Sequence, residues 1–228
     1  HAEAVAALLA APGLDVNAAD GDGQTALMWA ANGGHAETVT ALLAAPGLNV
    51  NAADRDGWTA LMKEAGKGHT EMFTALLAVP GLNVNAAARN GRTVLMQAAI
   101  GGHAEMVTAL LAYPGLDVNA ADRDGQTAFM RAANGGHAET VMALLAAPGL
   151  EVNAANGDGQ AALMLAANGG HAEMVTALLA APGLDVNAAN SDGWTALTWA
   201  AGEGHAETVT ALLAAPGLDV NAADSDGE

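Results

Sequence analysis

The seven histidines of this chain, His1, His35, His69, His103, His137, His171 and His205, each lie 34 residues from the next. A fixed period of that length is the signature of one supersecondary unit copied and stacked. A unit so small cannot bury its apolar face alone, so its stability comes from its neighbours. Aligned on the histidines, the chain gives six full copies, 20–53, 54–87, 88–121, 122–155, 156–189 and 190–223. A half copy, 1–19, precedes them and a stub, 224–228, follows. The expectation is a single domain over 1–228, an elongated all-α solenoid. Neither end shows the polar capping repeat that such a stack normally needs, which predicts flanking residues that complete it.

Within a copy the pattern reads as two short helices and a connector. Thr25 is placed to cap the first helix, where Ala26, Leu27, Ala30 and Ala31 recur at helical spacing. Gly33-Gly34 breaks that helix. The second begins at His35, with Glu37 in the first turn where the helix dipole favours a negative charge, and Val39, Leu42 and Leu43 on its buried face. Pro46-Gly47 is read as its stop, the glycine taking a left-handed cap. The stretch from Leu48 is an extended connector, and Asp-x-Asp-Gly, as in Asp20 to Gly23, is a hairpin tip. Composition agrees. The apolar fraction is 52% but aromatics make up only 3%, which suits closely packed helices of Ala and Leu.

D-G-x-T-A-L-x-x-A-A, G-H-x-E, x-L-L and D-V-N-A together resemble the ankyrin repeat over essentially the whole chain. Two features depart from it. The period is one residue longer than the usual repeat of about 33, through the proline of A-P-G-L, and T-A-L-M stands for T-P-L-H. The resemblance implies a non-enzymatic protein-interaction module in which hairpin tips and first helices line a concave face.

Differences between copies point to where a partner would bind. All seven cations, Arg55, Lys63, Lys67, Arg89, Arg92, Arg123 and Arg131, fall in the three central copies, although the chain carries a net charge of −18. Arg55, Arg89 and Arg123 share the hairpin-tip column. Arg92 shares the column before the threonine with Trp58 and Trp194. Lys63 and Arg131 share the column read as the exposed face of the first helix with Trp29, Trp199 and Gln97, and Lys67 follows that helix. Arg and Trp are the residue types enriched at binding hot spots. These columns are expected to form one continuous strip that binds an acidic protein or peptide. A plainer alternative is a structural or engineered consensus-like scaffold with no dedicated partner, its cations offsetting acidic charge and its tryptophans covering alanine-rich helices.

Other chemistries find little support. Stacked helices lie about 8–10 Å apart, too far for successive histidines to share one zinc, so each histidine is expected to bond locally at the start of its own helix. Asp20-Gly21-Asp22-Gly23 has no glutamate at the twelfth position of a calcium loop; Ala31 stands there. Ser191 and Ser225 lack a base in a recognisable arrangement, and G-G-H is not a phosphate loop. The expectation is therefore no enzyme and no cofactor. The acidic balance disfavours nucleic acid and membrane surfaces, and no apolar run reaches the roughly 18–20 residues of a membrane helix. His1-Ala2-Glu3 does not read as a signal peptide and cysteine is absent, which favours a cytoplasmic monomer. Glu64 breaks the pattern by replacing an alanine of the A-A pair. It is expected to reach solvent or to pair with Lys63, Lys67 or Arg92.

Overall fold

The computed structural model describes residue 11 and residues 13–222. The structural expectations for the first helix-bearing part of the half copy, 1–10, and for the stub, 224–228, lie outside them. The described residues contain twelve helices and no strand beyond six isolated antiparallel bridges, such as Ala19 with Thr25. The chain divides into two compact units, His1–Leu116 and Asp117–Glu228.

The first unit holds α1 (Ala26–Asn32), α2 (Ala36–Leu43), α3 (Ala60–Ala65), α4 (Thr70–Leu77), α5 (Val94–Ile100) and α6 (Ala104–Leu111). First helices pack on first helices, α1 on α3 on α5, and second helices likewise, α2 on α4 on α6. Leu27, Met28, Leu61, Met62, Phe73, Leu76 and Leu110 are buried between them. The second unit repeats this scheme with α7 (Ala128–Asn134), α8 (Ala138–Leu145), α9 (Ala162–Asn168), α10 (Ala172–Leu179), α11 (Ala196–Gly202) and α12 (Ala206–Leu213). Phe129, Met130, Leu144, Leu163 and Leu178 are part of its core.

Each first helix starts where the threonine side chain accepts the amide three residues on, as Thr25 does from Met28 and Thr127 from Met130. The fourth full copy after the half copy's first neighbour, 156–189, has Ala161 at this position, and α9 begins without a side-chain cap. After α1, Gly34 takes φ +71, and a Cβ there would lie 3.0 Å from the His69 ring of the next copy. Glycine is required at this point by both backbone conformation and space.

Two expectations are corrected here. The second helix ends before Pro46-Gly47: α2 closes at Leu43, with Ala44 in the right-handed region as its cap. Gly47 instead forms a turn at φ +78 whose carbonyl accepts Nδ2 of Asn17 in the preceding copy at 2.8 Å. Asn17 Oδ1 then accepts the Asn49 amide at 2.7 Å, and the pattern recurs at Asn51 and, in the second unit, at Asn153. The asparagine of D-V-N-A thus fastens one copy to the next, and the extra residue of the period lies in the turn it grips. Among the described residues the histidines do not cap their own helices either. In the second unit Nε2 of His171 and His205 meets the Asn134 and Asn168 carbonyls of the preceding copy, at 3.4 and 2.9 Å. The ring reaches across because it packs over glycine pairs, where no Cβ stands in its way.

Candidate functional site

The candidate residues sit on hairpin tips and first helices, and what orients them is the residue that opens each copy. In Asp20, Asp54 and Asp122, Oδ1 accepts two amides of the tip, those of the second and fourth residues on, at 2.9–3.0 Å. That leaves Oδ2 pointing to the first helix, where it meets the side chain nine residues along. Trp29 Nε1 donates to Asp20 at 2.9 Å, Lys63 Nζ to Asp54 at 2.8 Å, and Arg131 to Asp122. For Asp20, the Gln24 amide, the Trp29 indole and the Asp22 amide hold the carboxyl below its ordinary range. Burial works against the charged forms of Asp54 and Asp122. The Lys63 and Arg131 cations and the tip amides outweigh it and hold both carboxyls low.

This corrects the reading of the Lys63 and Arg131 column as an exposed face. Their side chains are only 15% and 20% exposed, and the charges are matched within the copy. An aspartate fixed by two backbone amides is a pre-positioned acceptor, so a donor nine residues on turns inward to it. Trp29 still shows 55% of its surface.

The remaining cations are different. In the first unit Arg55, Lys67 and Arg89 are exposed and Arg92 is half-buried. Among the described residues none of these four has a carboxylate within 4.0 Å. The backbone fixes the tips that carry two of them: the Arg55 amide donates to the Asp22 carbonyl at 2.9 Å, and the Arg89 amide to Asp56 at 2.7 Å. Beside them an open groove brings together Trp58, Lys63, Lys67 and Gln97 with Gln24, Asn32, Asp54, Asp56, Met62 and Gly66. Gln97 Nε2 is buried there without a hydrogen-bond partner. In the second unit, Arg123 is exposed and unpaired, while Trp194 and Trp199 pack on each other with ring centroids 4.8 Å apart at 57°. The groove's Asn32, Asp56 and Met62 match the common pattern and give no sequence signal, and Gln24, which shares the column of Trp58 and Arg92 but belongs to an outer copy, lines the groove as well. The Asp54 and Asp122 pairings had a signal, a donor nine residues after an opening aspartate.

Glu64 is also corrected. It is fully buried and makes no pair with Lys63, Lys67 or Arg92; its Oε1 lies 2.9 Å from Nδ1 of His69. The approach is close but off-axis, since neither carboxylate oxygen meets a donor in hydrogen-bonding geometry. Among the described residues no cluster of three or more histidine or acidic side chains is placed to hold a metal, and no helix is long and apolar enough to cross a membrane.

Known proteins place this architecture. The crystal structure of EF0377, an ankyrin repeat protein, matches with a TM-score of 0.77 at 25% identity, covering 88% of this chain and 98% of that one. No curated protein matches the chain. The family model for ankyrin repeats, in three copies, matches residues 1–88, 62–156 and 144–224. Ankyrin repeats are in general protein–protein interaction modules, a fold typically without enzymatic activity. With its 34-residue copies, threonine-capped helix pairs and hairpin tips, this chain belongs to the ankyrin-repeat family.

Proposed function

We propose that this protein is a non-enzymatic interaction module that binds an acidic protein segment on the hairpin-tip and first-helix face of its first unit. The observation that carries this reading is the set of cations without a carboxylate within 4.0 Å, Arg55, Lys67, Arg89 and Arg92: Lys67 lines the groove with Trp58, and Arg55 and Arg89 sit on the fastened tips. The chain has 25 acidic residues against seven Lys and Arg, so carboxylates to neutralise these four are plentiful. Lys63 and Arg131 are neutralised by aspartates. Cations that make no ion pair of their own, near a flat indole, suit a partner that brings carboxylates. Trp58 is the apolar anchor and Trp29 offers a second. In the second unit, Arg123 is the cation that remains for a partner, with Trp194 and Trp199 as aromatic surface.

The test is a peptide selected by display against the parent protein. Acidic sequences should be enriched, and raising the salt should slow association, because exposed charges steer encounter and are screened. Arg92→Glu should weaken binding at least about tenfold, roughly 1.4 kcal/mol. Trp58→Ala should raise the dissociation rate, and Gln126→Glu, in the same column of the second unit, should change little. Selected peptides without acidic residues, bound equally by both first-unit variants, would remove the proposal. The scaffold reading would then stand, supported by the inward pairing of Trp29, Lys63 and Arg131.

A further inference from the structure

Five full copies carry alanine where this copy has Glu64: Ala30, Ala98, Ala132, Ala166 and Ala200. Glu64 lies on α3, which packs between α1 and α5, and it is 0% exposed. Three departures from the repeat pattern surround it. First, α3 ends at Ala65 after six residues, whereas α1 and α5 have seven. Second, the amides of His35 and His103 donate to the carbonyls of Ala30 and Ala98, but the Glu64 carbonyl instead takes the amides of Lys67 at 2.9 Å and Gly68 at 3.2 Å. Third, the His69 ring faces Glu64 through Nδ1 and makes no bond to the Asn32 carbonyl, the counterpart of the bonds His171 and His205 make to Asn134 and Asn168.

The electrostatic surroundings make this contact sensitive to charge. α1 and α5 carry no ionisable side chain within their spans. On α3, Lys63 is committed to Asp54. On α4, Glu71 stands in the first turn and His69 precedes it, and Lys67 lies in the intervening turn. His69 is therefore the group set directly against the buried carboxylate.

We propose that Glu64 and His69 form a pH-sensitive latch: ionised Glu64 draws the His69 ring to itself across the Lys67–Gly68 turn, and protonated Glu64 releases the ring and loosens the turn that joins the two residues. Lys67 lines the groove, so the latch would tune partner binding, a consequence that rests on the function proposed above. Burial pushes the Glu64 carboxyl above the ordinary glutamate value, with His69 pulling the other way. An acid raised on folding contributes no penalty below its unfolded pKa and costs stability as pH rises through its folded one. The parent should therefore lose stability, relative to a variant without the carboxylate, as pH increases from about 4.5 upward.

The experiment compares thermal melting of the parent, Glu64→Ala and Glu64→Gln from about pH 4.5 to 8, with amide hydrogen exchange at Lys67 and Gly68. Alanine is the residue of the other copies, so that variant keeps the repeat pattern. Glu64→Ala should melt higher than the parent at neutral pH, and the gap should widen by about 2–4 °C or more across the range. Protection at Lys67 and Gly68, relative to the intrinsic exchange rate at each pH, should change with pH in the parent and stay level in both variants. A gap independent of pH, or level protection in the parent, would overturn the latch. A separate arm measures binding of a Glu-rich peptide at about pH 5 and 7.5. Binding to both proteins that depends on pH only in the parent supports the link to the groove. Binding to neither defeats the proposed partner class, while the melting and exchange results still decide the latch.

Discussion

At the scale of single residues, the first position of each copy governs the tenth. Its Oδ1 is spent on the tip amides, so what remains decides what the tenth side chain can do. An aspartate leaves a second acceptor, and Trp29, Lys63 and Arg131 donate to it. An asparagine leaves a donor: Asn156 Nδ2 turns to Gln160, apolar Leu165 occupies the tenth position, and Trp199 Nε1 in the Asn190 copy stays unpartnered. Ala88 offers nothing, and Gln97 Nε2 is unpartnered. The copy 88–121 therefore invites repair. Ala88→Asp should give Oδ1 to the tip amides and Oδ2 to Gln97, raising stability by about 1–2 kcal/mol in urea unfolding. Burial is no obstacle, since the Asp54 and Asp122 side chains are 7% and 2% exposed at the same position. A destabilised variant would show that the pairing does not carry over between copies. This coupling was present in the sequence as paired substitutions nine residues apart. Each column read alone shows only a variable surface position, and so Lys63 and Arg131 were grouped with the free cations.

At the scale of elements, local signals specified what local physics decides. The threonine caps, the glycine breaks and the 34-residue period were legible because each acts within one copy. Contacts between copies were not. The asparagine bonds to Gly47 and Gly81 span 30 residues, and the His205 bond to Asn168 spans 37, so their partners lie beyond any helical or turn spacing. The Glu64–His69 contact lies within one copy but was hidden too, because the course of the turn after α3, and not a helical spacing, brings the ring to the carboxylate. The capping rule itself can be tested at α9, whose first position lacks a hydroxyl. Ala161→Thr should supply the missing acceptor to the helix start and stabilise the protein by about 0.5–2 kcal/mol in thermal or denaturant unfolding. No gain there would mean that neighbour packing alone fixes the helix start.

At the scale of the whole molecule, the functional claim rests on how charge is distributed. The chain is strongly acidic, with a net charge of −18, yet in its first unit Arg55, Lys67, Arg89 and Arg92 have no carboxylate within 4.0 Å. The second unit keeps only Arg123 so, and its remaining arginine is held by Asp122. The fold supplies backbone-fastened tips to carry these side chains, and the groove supplies an aromatic wall. The most direct measurement is a backbone NMR titration of the intact protein with a Glu-rich peptide at low salt. Shifts should concentrate at Arg55, Trp58, Lys67, Arg89, Arg92 and Gln97, with the second helices nearly unchanged. Shifts confined to the second helices, or spread evenly over every copy, would contradict a partner-binding face in the first unit.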